Sequence, residues 1–186
     1  MPDTVTIPEL TAGTWTIDPA HSEIGFSVRH LMVSKVKGTF KTFEGTVIVP
    51  AEDASATSVE VKVDMASVNT GEDNRDNHLR SGDFFSTEEF PHMTFNSTSV
   101  TKAGSDFKAE GTLSIHGVAK PVTLDVEFNG VSPDPWGGTR AGFSATTEIS
   151  RKEFGIDIDM PLEGGGVVVG DRIKILLEVE AVLQQG

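Results

Sequence analysis

Apolar and polar residues alternate with a period of two along most of this chain, and no other feature constrains its fold as tightly. Val59, Val61, Val63 and Met65 alternate with Glu60, Lys62 and Asp64. Ala109, Gly111, Leu113 and Ile115 alternate with Glu110, Thr112, Ser114 and His116. Val122, Leu124, Val126 and Phe128 do the same with Thr123, Asp125, Glu127 and Asn129. Ile173, Ile175, Leu177, Val179, Ala181 and Leu183 form the longest row, Ile24, Phe26 and Val28 a shorter one, and Ala141, Phe143, Ala145 and Ile149 a looser one. Successive side chains of a strand point to opposite faces, so each run predicts a strand with one dry and one wet face. Glycine and proline fall between the runs, at Gly104, Gly117, Gly130, Pro133, Pro135, Gly137 and Gly138. The pattern predicts about eight strands, several longer than the usual five or six residues. Long strands with a single apolar face suit a sheet closed on itself, because closure removes the edges that would pair with other chains. The expectation is an all-β fold, a closed antiparallel eight-stranded barrel. A barrel of about eight strands is either filled by its own side chains or holds one small ligand, and alternation does not distinguish the two.

Two segments lose the alternation. Over residues 70–91, Thr70-Gly71-Glu72-Asp73 and Ser86-Thr87-Glu88-Glu89 both match a capping box, which predicts one or two short helical segments. This stretch carries Leu79, Phe84, Phe85 and Phe90, and we expect it to cover one end of the barrel. Residues 151–170 predict a second cover ending in the turn Gly164-Gly165-Gly166. Residues 1–13 are polar, broken by Pro2 and Pro8, and read as a flexible leader; residues 14–184 read as one domain.

The formal net charge of −13 argues against binding nucleic acid or an anionic membrane surface. One interval departs from this. Ile24 to Phe43 has no acid but holds Arg29, Lys35, Lys37, Lys41 and His30, a basic island suited to an anionic head group. The absence of cysteine excludes thiol catalysis, thiolate metal sites and disulfides. No stretch approaches the ~18 apolar residues of a membrane-spanning helix, and Met1 to Gly13 lacks the pattern of a secretory signal, so the expected location is cytoplasmic.

Most candidate chemical motifs fail. Asp18, His21 and Ser22 are triad residue types, but adjacency in sequence is no evidence of triad geometry. Asp157 and Asp159 read as solvated loop carboxylates. The glycine run 164–166 lacks the Lys-Ser/Thr ending of a phosphate loop. The histidines His21, His30, His78, His92 and His116 show no metal-ligand spacing, and neither a metal nor a cofactor is expected. His30 continues the row of Phe26 and Val28, which points it inward, either as a satisfied core histidine or as a polar anchor in an apolar pocket.

Several motifs, in order, resemble those of the YceI-like family of polyisoprenoid-binding proteins. They are Thr14-Trp15-Thr16-Ile17-Asp18-Pro19-Ala20-His21-Ser22, Phe26-Ser27-Val28-Arg29-His30 and Val36-Lys37-Gly38-Thr39-Phe40. Then come Asn77-His78-Leu79-Arg80-Ser81-Gly82-Asp83-Phe84-Phe85, Phe90-Pro91-His92-Met93-Thr94-Phe95 and Leu113-Ser114-Ile115-His116-Gly117. Ser150-Arg151-Lys152-Glu153-Phe154-Gly155-Ile156 and Val169-Gly170-Asp171 complete the set. The resemblance implies a lipocalin-like barrel, a homodimer, and a long apolar cavity that takes an isoprenoid or isoprenoid-quinone chain without chemistry. It adds His30, Arg80, Asp83, Phe84 and Phe154 as candidate site residues.

The expected ligand-binding set is therefore Phe26, Val28, His30, Phe40, Phe43, Leu79, Arg80, Phe84, Phe85, Phe95, Phe143 and Phe154. The expected partner is an isoprenoid-type lipid, stored or carried in the barrel. Two other readings stand beside it: an isomerase- or cyclase-type enzyme using His30 as acid and base on an enclosed apolar substrate, and a stress-associated protein with a solid barrel.

Overall fold

The computed structural model describes residues 11–30, 33–50, 56–82, 84–103, 106–156 and 169–184. Alternation becomes strand along all of the rows above. The strands are β1 (Gly13–Ile17), β2 (Glu23–His30), β3 (Ser34–Phe40), β4 (Phe43–Val49), β5 (Ser58–Asp64) and β6 (Val68–Asn69). The long ones follow: β7 (His92–Ala103), β8 (Asp106–Ile115), β9 (Val118–Pro133), β10 (Thr139–Ser150) and β11 (Val169–Leu183). All pairings are antiparallel, and pairing of β1 with β11 closes the sheet.

These eleven segments occupy eight positions around the barrel. β1 and β2 both lie along β11, at Trp15↔Leu183 and Phe26↔Ile175, with a 3₁₀ turn at Pro19–His21 between them. β3 and β4 continue one another beside them, and β5 and β6 do the same across a second 3₁₀ turn, Met65–Ser67. Each interruption has a local cause. The carboxylate of Asp18 accepts the N–H of Ala20 at 3.0 Å, and that of Asp64 accepts the N–H of Ala66 at 3.0 Å, so each aspartate caps its turn. The result is an up-and-down barrel of eight antiparallel strands.

One end of the barrel is plugged by Trp15, which is 0% exposed and packs with Val47, Val49, Ala141 and Ala181. Its indole N–H donates to the Thr11 carbonyl at 3.0 Å. The other end is covered. Among the described residues there is a single α-helix, α1 (Asp73–Arg80). Its cap differs from the one the sequence suggested. Glu72, not Thr70, is the N-cap, and its carboxylate accepts from the N–H groups of Asn74 and Arg75 at 3.2 and 2.8 Å. Thr70 instead gives its N–H to buried Asp76 at 2.9 Å. The second matching box, Ser86 to Glu89, forms a turn rather than a helix: Ser86 has φ +49° and its carbonyl accepts from Phe90 N at 2.8 Å. The segment expected to form a second cover opens with a 3₁₀ turn at Arg151–Phe154, and its residues 157–168 lie outside the described residues. Asp157, Asp159 and the glycine run 164–166 lie outside the described residues.

Candidate functional site

The inward side chains enclose two apolar chambers that meet at a shared waist of Ile24, Met93 and Ile175. The chamber nearer the Trp15 plug has a volume of about 130 Å³, and the one under α1 about 80 Å³. Alternation places hydrocarbon around both. Among the described residues the only polar side chains are Thr57 and Thr147 in the lower chamber and Arg151 in the upper one.

The upper chamber is built from a ladder of rings. Phe26 and Phe40 face each other across β2 and β3 with centroids 5.6 Å apart, and Phe85 follows Phe40 at 6.2 Å. Gly38 makes this possible. It lies directly opposite Phe26, and a Cβ there would stand 2.5 Å from the Phe26 ring. Phe84 comes in from the covering segment, with the ring of His78 edge-on at 4.9 Å. Phe154 is buried in the 3₁₀ turn Arg151–Phe154 and lines this chamber. Arg151, 3% exposed, gives Nε–H to the Gly170 carbonyl at 3.0 Å and Nη1–H to the Ile156 carbonyl at 2.8 Å. It ties the cover to the start of β11.

Most of the expected set meets here. Phe26, Val28, Phe40, Leu79, Phe84, Phe85 and Phe154 line the upper chamber, and Phe95 and Phe143 the lower. Two do not line either. Phe43 is buried in the main core with Val61 and Val63, because β4 continues β3 and turns its first side chain into the packed wall. Arg80 staples the helix to its neighbours. Its guanidinium donates to the carbonyls of Ala66 at 2.8 Å and Val68 at 3.2 Å and to Asn77 Oδ1 at 2.8 Å, and so holds α1 against the β5–β6 turn. The backbone of His30 pairs with Ser34 and Val169, while its side chain, like Asp83, lies outside what is described. Sequence reasoning did not single out Met93, Thr57 or Arg151. Thr57 extends the inward row of Val59, Val61 and Val63 by one step, but as a polar residue it does not count with that apolar row.

The basic island is outside the cavity. Arg29, Lys35, Lys37 and Lys41 are exposed, with Arg29 directly opposite Lys35 on the outer face of the β2–β3 hairpin, and none lines a chamber.

Asp18, His21 and Ser22 form no triad. His21 Nδ1 is 2.8 Å from Asp18 Oδ2, but the Ser22 hydroxyl is committed to the backbone of Glu180, accepting its N–H at 2.9 Å. Asp18, His21 and Glu180 bring potential metal-ligand atoms within 4.8 Å of one another. A cation already bridges the carboxylates: Arg140 Nη1 lies 2.8 Å from both Asp18 Oδ2 and Glu180 Oε2. Arg140, aided by His21, draws the Asp18 carboxyl down to about 2. Arg140 Nε also reaches Asp134 at 3.3 Å, beneath the turn that presents Trp136, which is 78% exposed. The arrangement joins the β1–β2 break to β10, β11 and the β9–β10 turn.

An eight-stranded antiparallel barrel with an apolar, covered interior defines a lipocalin-like binding architecture, with its volume inside the barrel rather than in a surface cleft. Comparison with known proteins agrees. The model of the YceI-like domain matches residues 15–181. A UPF0312 protein of Staphylococcus aureus strain USA300 is 43% identical over 167 residues, covering 89% of this chain and 95% of the relative. The crystal structure of a Campylobacter jejuni YceI protein superposes with a TM-score of 0.71 at 34% identity, covering 96% of this chain and all of that one. The chain belongs to the YceI-like family. A polyisoprenoid-binding domain from Saccharophagus degradans has the same fold at 16% identity, with a TM-score of 0.70 over 91% of this chain and 98% of that one.

Proposed function

We propose that this protein binds a long apolar isoprenoid-type lipid inside the barrel and stores or carries it. The observation that carries this reading is the interior itself: two adjoining chambers walled by hydrocarbon, closed by Trp15 at one end and covered by α1 at the other. Fold likeness to a domain described as polyisoprenoid-binding supports it. Burying an apolar chain needs no charge pairing. A ligand of about 30 heavy atoms at roughly 0.3 kcal/mol per atom would gain about 9 kcal/mol, a sub-micromolar dissociation constant. The lining favours a carrier over an enzyme: among the described lining residues there is no carboxylate or imidazole to move a proton, and the Arg151 guanidinium holds backbone carbonyls.

Extraction of the purified protein into organic solvent, followed by mass spectrometry, tests the reading. A prenyl lipid in near-stoichiometric amount is expected. An extract without prenyl lipid, from a protein that also fails to take up an added prenol, would overturn it.

A further inference from the structure

The lower chamber contains one polar atom that the fold leaves unused. Thr57 is only 6% exposed, lines the chamber, and its Oγ1 has no hydrogen-bond partner among the described residues. Buried hydroxyls in folded proteins are nearly always paired, and one left unpaired is a net cost to the fold. Valine would fill the same space without that cost. The rest of the chamber wall is apolar apart from Thr147, with Val47, Val59, Val100 and Phe107 among its lining. A hydroxyl both donates and accepts, so it suits an alcohol or a carbonyl oxygen. Among the described residues no lysine, arginine or histidine lines this chamber, so a diphosphate here would be buried without a counter-charge from them.

We propose that Thr57 is the head-group anchor of the cavity. The ligand class is then a neutral isoprenoid bearing an uncharged oxygen, an alcohol or a quinone carbonyl. That oxygen sits at Thr57, and the tail runs past the waist into the chamber under α1. This inference rests on the lipid-binding reading and adds to it the chemistry and direction of the ligand. It moves the polar anchor from the covered end, where His30 pairs with Ser34, to the opposite end of the barrel.

Lipid-stripped full-length protein, Thr57→Val and Thr57→Ser are compared by equilibrium dialysis against four probes of one chain length. These are geranylgeraniol, a geranylgeranyl-substituted benzoquinone, the hydrocarbon lacking the oxygen, and geranylgeranyl diphosphate. Thr57→Val is expected to weaken the alcohol or the quinone about three- to tenfold, the value of one hydrogen bond. It should leave the hydrocarbon unchanged, and Thr57→Ser should restore the loss. The parent should bind the diphosphate more weakly than the alcohol. Equal affinities of parent and Thr57→Val for both oxygenated probes would show that the hydroxyl is satisfied by water alone and overturn the anchor, while the lipid reading stands. Equal weakening of the hydrocarbon would make Thr57 a packing residue and overturn it as well. A parent that prefers the diphosphate overturns the neutral class. A parent that binds none of the four sinks the lipid reading itself.

Discussion

Thr57 and Asp18 stand at opposite extremes of hydrogen-bond satisfaction. Thr57 offers a buried hydroxyl with no partner among the described residues. In the ligand-free protein, Thr57→Val should therefore raise the unfolding free energy, by about 1 kcal/mol. A loss of that size in a urea titration would show that the hydroxyl is already paired. Asp18 is bonded on every side, to Arg140, His21 and the Ala20 N–H. Its carboxyl is drawn down from 3.8 to about 2, so the folded state favours the carboxylate. The stabilisation is complete above the unfolded value and is lost as pH falls through about 2. Partial exposure of the network reduces its worth. Asp18→Asn should cost about 1–2 kcal/mol near neutral pH, and the gap between parent and variant should close as the pH approaches 2, read from unfolding titrations at both pH values. A gap independent of pH would mean that the carboxylate charge contributes nothing. Asp18 was legible in the sequence only as a residue type. Its partners Arg140 and Glu180 lie 122 and 162 positions away, and only barrel closure brings them together.

At the scale of the strand, the alternating rows located β2, β5, β8, β9, β10 and β11, while β1, β3, β4, β6 and β7 lie outside them. The rows ending at Met65, Ile115, Phe128 and Leu183 correspond closely to β5, β8, the inward half of β9 and β11. Leu113 lies in β8 at 6% exposure, opposite Lys120 on one side and Phe95 on the other. Leu113→Asp would put a carboxylate on a buried apolar face, at a cost of several kcal/mol against a typical stability of 5–15, and only exposed Lys120 opposite it could offset part of that. It should abolish the cooperative thermal transition, and a melt near that of the parent would show that this face is not inside. The helix was less legible, because two segments carried similar capping boxes. Glu72 caps α1 while Thr70 is held by Asp76, a choice made by tertiary contacts that residue spacing does not encode. The breaks within the strand pairs β1–β2 and β5–β6 were hidden for a related reason. Each is a three-residue 3₁₀ turn that interrupts a wall without changing its direction.

Across the whole molecule, the sequence predicted an inside but not its contents. Whether inward side chains touch depends on which of them share a level of the barrel, and that follows from strand stagger. Phe26 folds over Gly38 while Ile24, Met93 and Ile175 close in from three different strands to form the waist. A cavity of about 150 Å³ holds a single benzene ring, so chambers of about 130 and 80 Å³ take only a short piece of a prenyl chain unless the waist opens and the lining side chains repack around a longer one. Met93 is the member able to yield, since an unbranched thioether repacks easily. Met93→Ile, which substitutes a stiff β-branched side chain, should leave binding of a ten-carbon prenol within about threefold and weaken a forty-carbon one by about tenfold or more, near 1.4 kcal/mol. Equal effects on both chain lengths would remove the waist from the binding path.

The two tryptophans lie in opposite settings, and the chain has no tyrosine. Trp15 is sealed at the foot of the barrel in a cluster with Val47, against which Phe143 also packs, and both of these line the lower chamber. Trp136 projects into water from the β9–β10 turn. The protein's ultraviolet emission therefore has two separable colours, a blue one from the dry indole and a red one from the wet indole. A quinone seated beside Phe143 would quench the first and spare the second, while a water-borne quencher such as iodide would do the reverse. A quinone reaching the floor of the barrel would thus announce itself in the intrinsic light of the unmodified chain, with no dye attached.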